Sequence, residues 1–191
     1  MEKRNIEATR NALLEAAGKL MVEKNDPSEV TSRAIAKEAQ VNLAMINYCF
    51  GSREELLFEV FRSIREDTFE NENFNIAFIE GSTPKENLIE LYTESIRFML
   101  KHYNFVKAIT KFVLLNRRID AERGSLAFIK EHFGDRKTDG ECRMAAFEIS
   151  SLHELAVLRY EELRDVCGID LTDDVQLRKY VEGHINMFLG E

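Results

Sequence analysis

Two groups of residues in the sequence have types and spacings that chemistry could use. In the first, His153 and Glu154 begin the HExxH pattern of zinc proteases, in which two histidines bind the metal and the glutamate acts as a base. The second histidine would be residue 157, which is a valine, so the pattern fails. The four histidines are scattered, and none adjoins a serine or cysteine nucleophile. We therefore expect no catalytic residue, no metal site, no cofactor and no enzymatic activity.

The second group is the segment of residues 42–56, NLAMINYCFGSREEL. Ile46 and Phe50 are four residues apart, so on a helix they share one face that can pack inward. The residues left wholly or partly outward are Leu43, Ala44, Met45, Asn47 and Tyr48. An asparagine amide pairs best with adenine, and apolar side chains suit the methyl group of thymine. The segment therefore carries groups that can read A·T base pairs. The alternative is an ordinary helical hairpin in a core.

Three helices are predicted in the first fifty residues, and they would position this segment. The first covers residues 6–24 and has apolar residues at three- and four-residue spacing. Thr31 is suited to cap a short second helix, and Asn42 to cap a third helix over residues 43–49. Helices of two turns are marginal alone, so these two must lock against the first. Two short helices held in this way, with the second presented outward, follow the logic of a helix-turn-helix that reads DNA.

A fourth helix is predicted to begin directly after the third. Gly51 suits the left-handed position that ends a helix. Ser52, with Glu55 three residues later, forms the capping-box pattern, so the fourth helix starts near Arg53 and reaches about residue 71. The amino end of such a helix has free N–H groups, which bind anions.

The remaining sequence is also predicted to be helical, because strand-like alternation is hard to find in it. Thr83, Pro84 and Glu86 together form a strong helix start. Further helices are expected over residues 84–102, 105–115, 120–133, 139–167 and 173–189, with Thr172 as the cap of the last. The sequence thus predicts an all-α protein of about nine helices. Residues 1–51 would form a three-helix domain and residues 52–191 a helical bundle.

Composition and charge restrict the class of protein. The chain has 191 residues, 45% of them hydrophobic and 31% charged, which suits a real core and a soluble surface. The net charge of −8 argues against binding nucleic acid through bulk charge alone. Residues 1–60 hold eight Lys or Arg and ten Asp or Glu. A DNA-binding face must therefore be built by placing a few cations on one side.

The cysteines and the hydropathy pattern indicate a cytoplasmic protein. Cys49, Cys142 and Cys167 are odd in number and widely spaced, which disfavours both a disulfide framework and a zinc site. The N-terminus lacks the apolar run of a signal peptide. No window approaches the roughly 18 uncharged apolar residues of a membrane span, so we expect no membrane partner.

The run TSRAIAKEAQVNLAMINYCFGSREELL resembles the N-terminal domain of the tetracycline-repressor (TetR) family of bacterial transcription regulators. The matching features are Thr31, Ile35, Ala36, Ala39, Val41, Tyr48, Phe50, Ser52 and the four residues from Arg53 to Leu56. The resemblance covers about residues 6–60 and implies a DNA-binding regulator. The remainder fits in length and helical pattern alone, where the family has an all-α region for effector binding and dimerisation.

The resemblance implies roles at DNA for particular residues. In the family, side chains matching Thr31, Arg33, Tyr48 and Arg53 commonly touch DNA, the last two at phosphates. Asn42 stands where serine is typical, and it can cap and donate equally well. Together with the outward face of the third helix, the expected DNA contacts are Thr31, Arg33, Asn42, Leu43, Ala44, Met45, Asn47, Tyr48 and Arg53.

Three departures from the family pattern concern the same region. Gln40 replaces a glycine at a turn position that needs a left-handed backbone, at a cost of about 1–2 kcal/mol. Asn47 and Cys49 replace the frequent tyrosine and histidine, so one expected phosphate donor is absent. We expect the DNA preference to be the protein's own at this pair, with A·T pairs at the contacted positions.

The resemblance also implies a ligand cavity and a dimer interface in the C-terminal region. Aromatic and Met residues suit a plain core first; as a cavity lining, we expect Phe98, His102, Phe105, Phe112, Met144 and Phe147. Apolar residues on the last two predicted helices exceed what one small bundle must bury. The family forms a four-helix interface from such a pair, and the expected interface residues are Leu155, Leu158, Val181, Ile185 and Phe188.

The expected function is that of a homodimeric repressor, released from a palindromic operator by a small-molecule effector of unknown identity. One alternative is a DNA binder that works without an effector or is regulated by another protein. Another alternative is an all-α protein without DNA binding.

Overall fold

The computed structural model describes residues 2–24, 27–71, 81–116, 119 and 124–190, with side chains at all of these except 2–5, 27 and 65–71. Every regular element in this part of the chain is helical, which confirms the predicted all-α fold. The α-helices are α1 (Glu2–Glu23), α2 (Ser32–Glu38), α3 (Ala44–Phe50), α4 (Arg53–Asn71), α5 (Pro84–Lys101), α6 (Tyr103–Asn116), α7 (Gly124–Phe133), α8 (Asp139–Leu158), α9 (Tyr160–Cys167) and α10 (Asp174–Leu189). Two 3-10 turns, Pro27–Glu29 and Gly134–Arg136, precede α2 and α8.

The chain divides into two compact units. The first comprises Met1–Glu72 and Asn104–Leu115, and the second comprises Asn73–Tyr103 and Asn116–Glu191. Most of α6 therefore belongs with the first unit. The boundary predicted after residue 51 separates a DNA-binding region from an effector-binding and dimerisation region. That functional boundary stays a prediction.

The first unit is built around α1, which packs against α2, α3 and α4. Its core contains Leu13, Ala17, Ile35, Ile46 and Leu56, all buried. Burying a Leu or Ile side chain contributes about 1.5–3 kcal/mol. This tertiary burial, rather than intrinsic propensity, keeps the seven-residue helices α2 and α3 folded.

The second unit is a bundle in which α5, α7, α8 and α10 pack against one another. Its largest fully buried side chains are Leu88, Ile96, Ile129, Ile149, Leu171, Leu177 and Ile185. Two of its helices begin with a capping box, at Thr83 with Glu86 and at Thr138 with Glu141. The helix start predicted at Thr83 and Pro84 is therefore confirmed.

The predicted helix over residues 139–167 is two helices. The backbone at Arg159 turns to φ −115° and ψ 23°, which ends α8 and begins α9. Neither glycine nor proline marks this position, so the sequence carried no local signal for the break. The Tyr103 hydroxyl donates to the Leu158 carbonyl at 3.1 Å, which supplies a partner where a helix end leaves its carbonyls unpaired.

The cap predicted for the last helix is displaced by one residue. Asp173, rather than Thr172, accepts from the Gln176 N–H at 2.9 Å and caps α10. Thr172 instead donates its N–H and its hydroxyl to the Asp170 carboxylate, at 2.9 and 2.7 Å.

A group of rings lies between α5, α8 and α10. His153 is 1% exposed, and neither of its ring nitrogens has a hydrogen-bond partner among the described residues. Its ring stacks on His184 with centroids 5.3 Å apart and lies 4.7 Å from the ring of Tyr92. Burial, with a smaller contribution from His184, lowers the pKa of His153 to about 3. The imidazole is therefore held neutral in the folded protein.

The buried imidazole makes the stability of the protein depend on pH. The pKa of His153 is about 3 in the folded protein and about 6.5 in the unfolded chain. At a pH between these two values, His153 is therefore protonated in the unfolded chain and neutral in the folded protein. Stability from this group is complete above about pH 6.5 and falls as the pH decreases towards 3. Between pH 7 and pH 5 the loss is about 2 kcal/mol.

Urea unfolding of the wild type and of His153→Leu at the two pH values measures this contribution. We expect the loss of unfolding free energy on acidification to be smaller by about 2 kcal/mol in the variant. His184 remains in both proteins, so the difference isolates His153. An equal pH dependence in the two proteins would contradict a buried neutral His153.

Candidate nucleic-acid interface

The helix α3 has one buried face and one exposed face. Ile46 and Phe50 are buried, as the four-residue spacing predicted. The side chains outside this seam are the exposed Asn42, Leu43, Ala44, Asn47 and Tyr48 and the half-buried Met45. Tyr48 is 67% exposed although it is aromatic. The structure therefore presents the expected set on one surface, while their contact with DNA stays a prediction.

The helix α3 begins one residue later than predicted, at Ala44. Asn42 does not occupy the N-cap position, which is taken by Leu43 without a side-chain bond. Instead, the Asn42 side-chain oxygen accepts from the Ala44 N–H at 2.9 Å, and its carbonyl accepts from the Met45 N–H at 2.9 Å. The side-chain oxygen is thus used locally, which leaves the amide NH2 group to donate to an outside acceptor.

The turn between α2 and α3 is a Schellman motif. The Val41 N–H donates to the Ala36 carbonyl at 3.0 Å, and the Gln40 N–H donates to the Lys37 carbonyl at 3.2 Å. Gln40 has φ 55°, and no other non-glycine residue in the described ranges has a positive φ. The left-handed backbone predicted for this position is confirmed. This turn sets the angle at which α3 leaves α2.

At the start of α2, Thr31 and Arg33 are both exposed. The Thr31 hydroxyl oxygen accepts from the Ala34 N–H at 3.1 Å, which confirms the predicted cap. The loss of such a cap costs about 1 kcal/mol.

Cationic side chains of α1 tie it to the other helices of the first unit. Arg10 pairs with Glu59 of α4, and its guanidinium lies 4.7 Å from the centre of the Phe50 ring at the end of α3. Lys19 pairs with Glu38 of α2 at 2.5 Å. Partly exposed ion pairs contribute little to stability, typically under about 1 kcal/mol each. Their effect is to fix the positions of helices that apolar burial holds together.

The start of α4 follows the predicted chemistry. Gly51 has φ 78°, and the Ser52 hydroxyl accepts from the Glu55 N–H at 3.0 Å. The Arg53 side chain, expected at a phosphate, also has contacts within the first unit, and its contact with DNA stays a prediction. Its Nε donates to the Val30 carbonyl at 2.6 Å, and its Nη1 lies 3.2 Å from the Glu54 carboxylate.

The residues expected around an effector are divided between the two units. Phe105 and Phe112 belong to the first, whereas Phe98, His102, Met144 and Phe147 belong to the second. Phe98 is buried, and its ring centre lies 4.6 Å from that of His102. Burial, together with the nearby Lys101, lowers the pKa of His102. Met144 is 47% exposed, so it lies at the surface of its unit.

A cavity of about 350 Å³ lies within the second unit, between α8, α9 and α10. Its wall includes Leu152, Leu155, Leu163, Val166, Tyr180 and His184. Of the residues expected in a dimer interface, Leu155 lies in this wall and is 44% exposed. Leu158 and Phe188 are half-buried. Val181 and Ile185 are fully buried in the core of their own unit, because the face of α10 that carries them packs inside it.

The dimer-interface residues expected from the sequence did not include two exposed apolar side chains on α9 and α10. Val166 and Met187 are both largely exposed. Within the described residues, no group of three His, Cys, Asp or Glu side chains could hold a metal ion. None of the described helices combines the length and apolarity needed to cross a bilayer.

Gln40 offers a test of the turn. Because a left-handed backbone is strained for any residue with a Cβ, Gln40→Gly should raise the free energy of unfolding by about 1 kcal/mol. Lys37→Gly is the matched control on the exposed face of α2, where glycine should lower the free energy by about 1 kcal/mol. Urea unfolding of the two variants measures both. A decrease of the same size in both would contradict strain at Gln40.

Comparison with known proteins identifies the first unit. The family model described as bacterial regulatory proteins of the tetR family matches residues 13–60. The matched range runs from within α1 through α2 and α3 into α4, and so covers the helix-turn-helix and its supports. No curated protein matches the chain. The match over these residues supports a DNA-binding transcriptional regulator with an N-terminal helix-turn-helix domain of the tetR family.

Proposed function

We propose that the protein is a homodimeric repressor, which binds a palindromic operator through α3 and is released when a small molecule binds the second unit. The observation that carries the proposal is the exposed face of α3, held outward by the buried Ile46 and Phe50. The family match supports DNA binding. The repressor role, the operator and the effector belong to the proposal.

The chemistry of the exposed face favours A·T base pairs. Asn47 is the strongest hydrogen-bonding group on this face of α3, and an asparagine amide is complementary to the N6 and N7 atoms of adenine. Ala44 and Met45 suit the thymine methyl group, which projects into the same groove. Leu43 is 44% exposed and extends the apolar part of the face.

Residues around this face are proposed to position it on the DNA backbone. The Tyr48 hydroxyl, the Asn42 amide, Thr31 and Arg33 are all exposed and can donate to phosphate oxygens. Phosphate contacts release counterions, so binding should weaken steeply as the salt concentration rises.

A dimer is supported by the apolar wall between α8, α9 and α10. This wall exposes three large apolar side chains, those of Leu152, Leu155 and Val166. Burying apolar surface stabilises a protein or complex by about 25 cal/mol per Å². A second copy placed on this wall about a two-fold axis would bury the same residues of both chains. Two copies of α3 would then read half-sites about 34–36 Å apart, one turn of DNA.

An effector is proposed to bind near Phe98 and His102 in the second unit. Burial favours the neutral form of His102, so its ring can both donate and accept a hydrogen bond beside an aromatic face. A partly apolar compound with one polar group has matching chemistry. A coupling of about 1–3 kcal/mol between effector and DNA would change operator affinity about 5- to 150-fold.

A DNA binder that needs no effector is the second candidate, and the burial of Phe98 as a core residue favours it. A thermal-shift screen with diverse small molecules separates the two candidates. A compound that raises the unfolding temperature and also weakens operator binding supports the first. Compounds that bind without changing operator affinity support the second.

Selection of duplexes from a randomised DNA library tests the proposed operator. We expect enrichment of two inverted half-sites, spaced by about one helical turn, with A·T pairs at the contacted positions. Enrichment of half-sites containing G·C pairs alone, or no enrichment at all, would contradict the proposal.

Asn47→Ala tests the base contact. Because a bidentate base contact contributes about 1–3 kcal/mol of discrimination, the variant should accept any base pair at one position of each half-site. The other positions should keep their preference. Arg62→Gln, on the exposed face of α4, is the control and should select the same sequence as the wild type. An unchanged selection by Asn47→Ala would exclude the adenine contact.

Leu155→Glu tests the dimer interface. A carboxylate in an apolar interface loses its hydration, so the variant should weaken dimerisation by at least about tenfold. Size-exclusion chromatography with light scattering measures the mass across a range of concentrations. Val175→Glu is the control, because Val175 is exposed on α10 but does not line the cavity wall. Equal masses for wild type and Leu155→Glu would place the interface elsewhere.

A further inference from the structure

The side chain of Arg53 joins the two ends of the helix-turn-helix. Its Nε donates to the carbonyl of Val30, 23 residues earlier in the chain, at 2.6 Å. Val30 directly precedes Thr31, the cap of α2, and Arg53 is the first residue of α4, directly after α3 and its closing turn. A single hydrogen bond therefore spans from the beginning of the DNA-binding segment to its end.

The Val30 carbonyl needs this partner. Val30 is fully buried, so its backbone is shielded from water. The first backbone bond of α2 is accepted by the Thr31 carbonyl, from the Ile35 N–H, so the carbonyl of Val30 lies outside the helical series. Leaving a buried acceptor unpaired is unfavourable, and a bond from a charged donor is stronger than one from a neutral donor.

The guanidinium of Arg53 contacts both Val30 and Glu54. While Nε bonds to Val30, Nη1 faces the carboxylate of Glu54 at 3.2 Å, and the side chain is 23% exposed. Its planar fork presents several donors in a fixed geometry, which suits such a double contact. In contrast, Arg33 is exposed at the start of α2.

We propose that Arg53 is a positioning residue, which fixes the distance between the start of α2 and the end of α3, and that it does not serve as a phosphate ligand. The side chains proposed at the DNA backbone lie at both ends of this segment, with Thr31 and Arg33 at one end and Tyr48 at the other. Phosphates have a fixed spacing, so both ends must be correctly separated to bind together. The proposal rests on DNA binding by the first unit and is independent of the effector and of the repressor role.

Two substitutions separate positioning from phosphate binding. Glutamine places its side-chain nitrogen the same number of bonds from Cα as the Nε of arginine, so Arg53→Gln can keep the bond to Val30 without the charge. Methionine has a similar length but no donor, so Arg53→Met loses both. Positioning predicts that the two variants differ, whereas a phosphate contact predicts that they are equally impaired.

The first measurement uses the protein without DNA. Hydrogen–deuterium exchange of the peptide covering residues 31–36 reports the opening of the first turn of α2. In Arg53→Met we expect exchange about tenfold faster than in the wild type, and in Arg53→Gln exchange within about threefold of it. Wild-type exchange in Arg53→Met would overturn the proposal, irrespective of any operator.

The second measurement is the affinity for the most enriched duplex from the library selection, determined at several salt concentrations. Arg62→Gln is the control, because it removes one positive charge from the exposed face of the same helix. We expect Arg53→Gln to bind within about threefold of this control and Arg53→Met to bind about tenfold or more weakly, both with the control's salt dependence.

A phosphate contact would give a different result. Both variants would then weaken equally, and the slope of log K against log salt would fall by about 0.9 relative to the control. That result overturns the proposal. Circular dichroism checks that the variants are folded. If Arg53→Met is unfolded, Arg53→Gln decides: wild-type exchange and control-like binding support positioning, and any further weakening overturns it.

Discussion

The burial of Ile46 and Phe50 against the other helices of the first unit is the constraint on which the proposed DNA-binding surface depends. α3 has seven residues, too few for an isolated helix to be stable in water. It therefore stays helical only while Ile46 and Phe50 are packed against the other helices. The same burial determines which side chains face outward. One packing interaction thus stabilises the helix and also determines which of its side chains are exposed.

In this unit, apolar burial and polar side-chain contacts have different effects. Leu13, Ile35 and Leu56 supply the larger part of the stability, because burial of such side chains contributes more than partly exposed ion pairs do. Burial alone is tolerant of small shifts between helices. The directional contacts of Arg10 and Lys19 remove that tolerance, because each joins α1 to a defined point on another helix. The proposed reading of base edges would require such fixed positions.

Local chemistry explains what the sequence could predict. Thr31 and Gly51 act on their own neighbours in the chain, so their types and positions predicted the cap and the helix end. The left-handed backbone at Gln40 was implied by the resemblance to the family, which has glycine there. The inward face of α3 followed from the helical period. The partner of Arg53 is 23 residues away, and no local pattern contains that distance. For the same reason, the break at Arg159 and the burial of Val181 could not be predicted: both depend on which helices pack against them.

The break at Arg159 has a consequence for α9. This helix has eight residues and none of them is buried, so its own packing does little to hold it together. Regions with so little burial open locally at a free energy far below that of global unfolding. A partner bound to the wall of α8, α9 and α10 would supply the missing burial. The helical fraction of α9 would then rise with the fraction of chains that have this partner bound. In a self-associating protein, this couples the order of one short helix to the concentration of the chain itself.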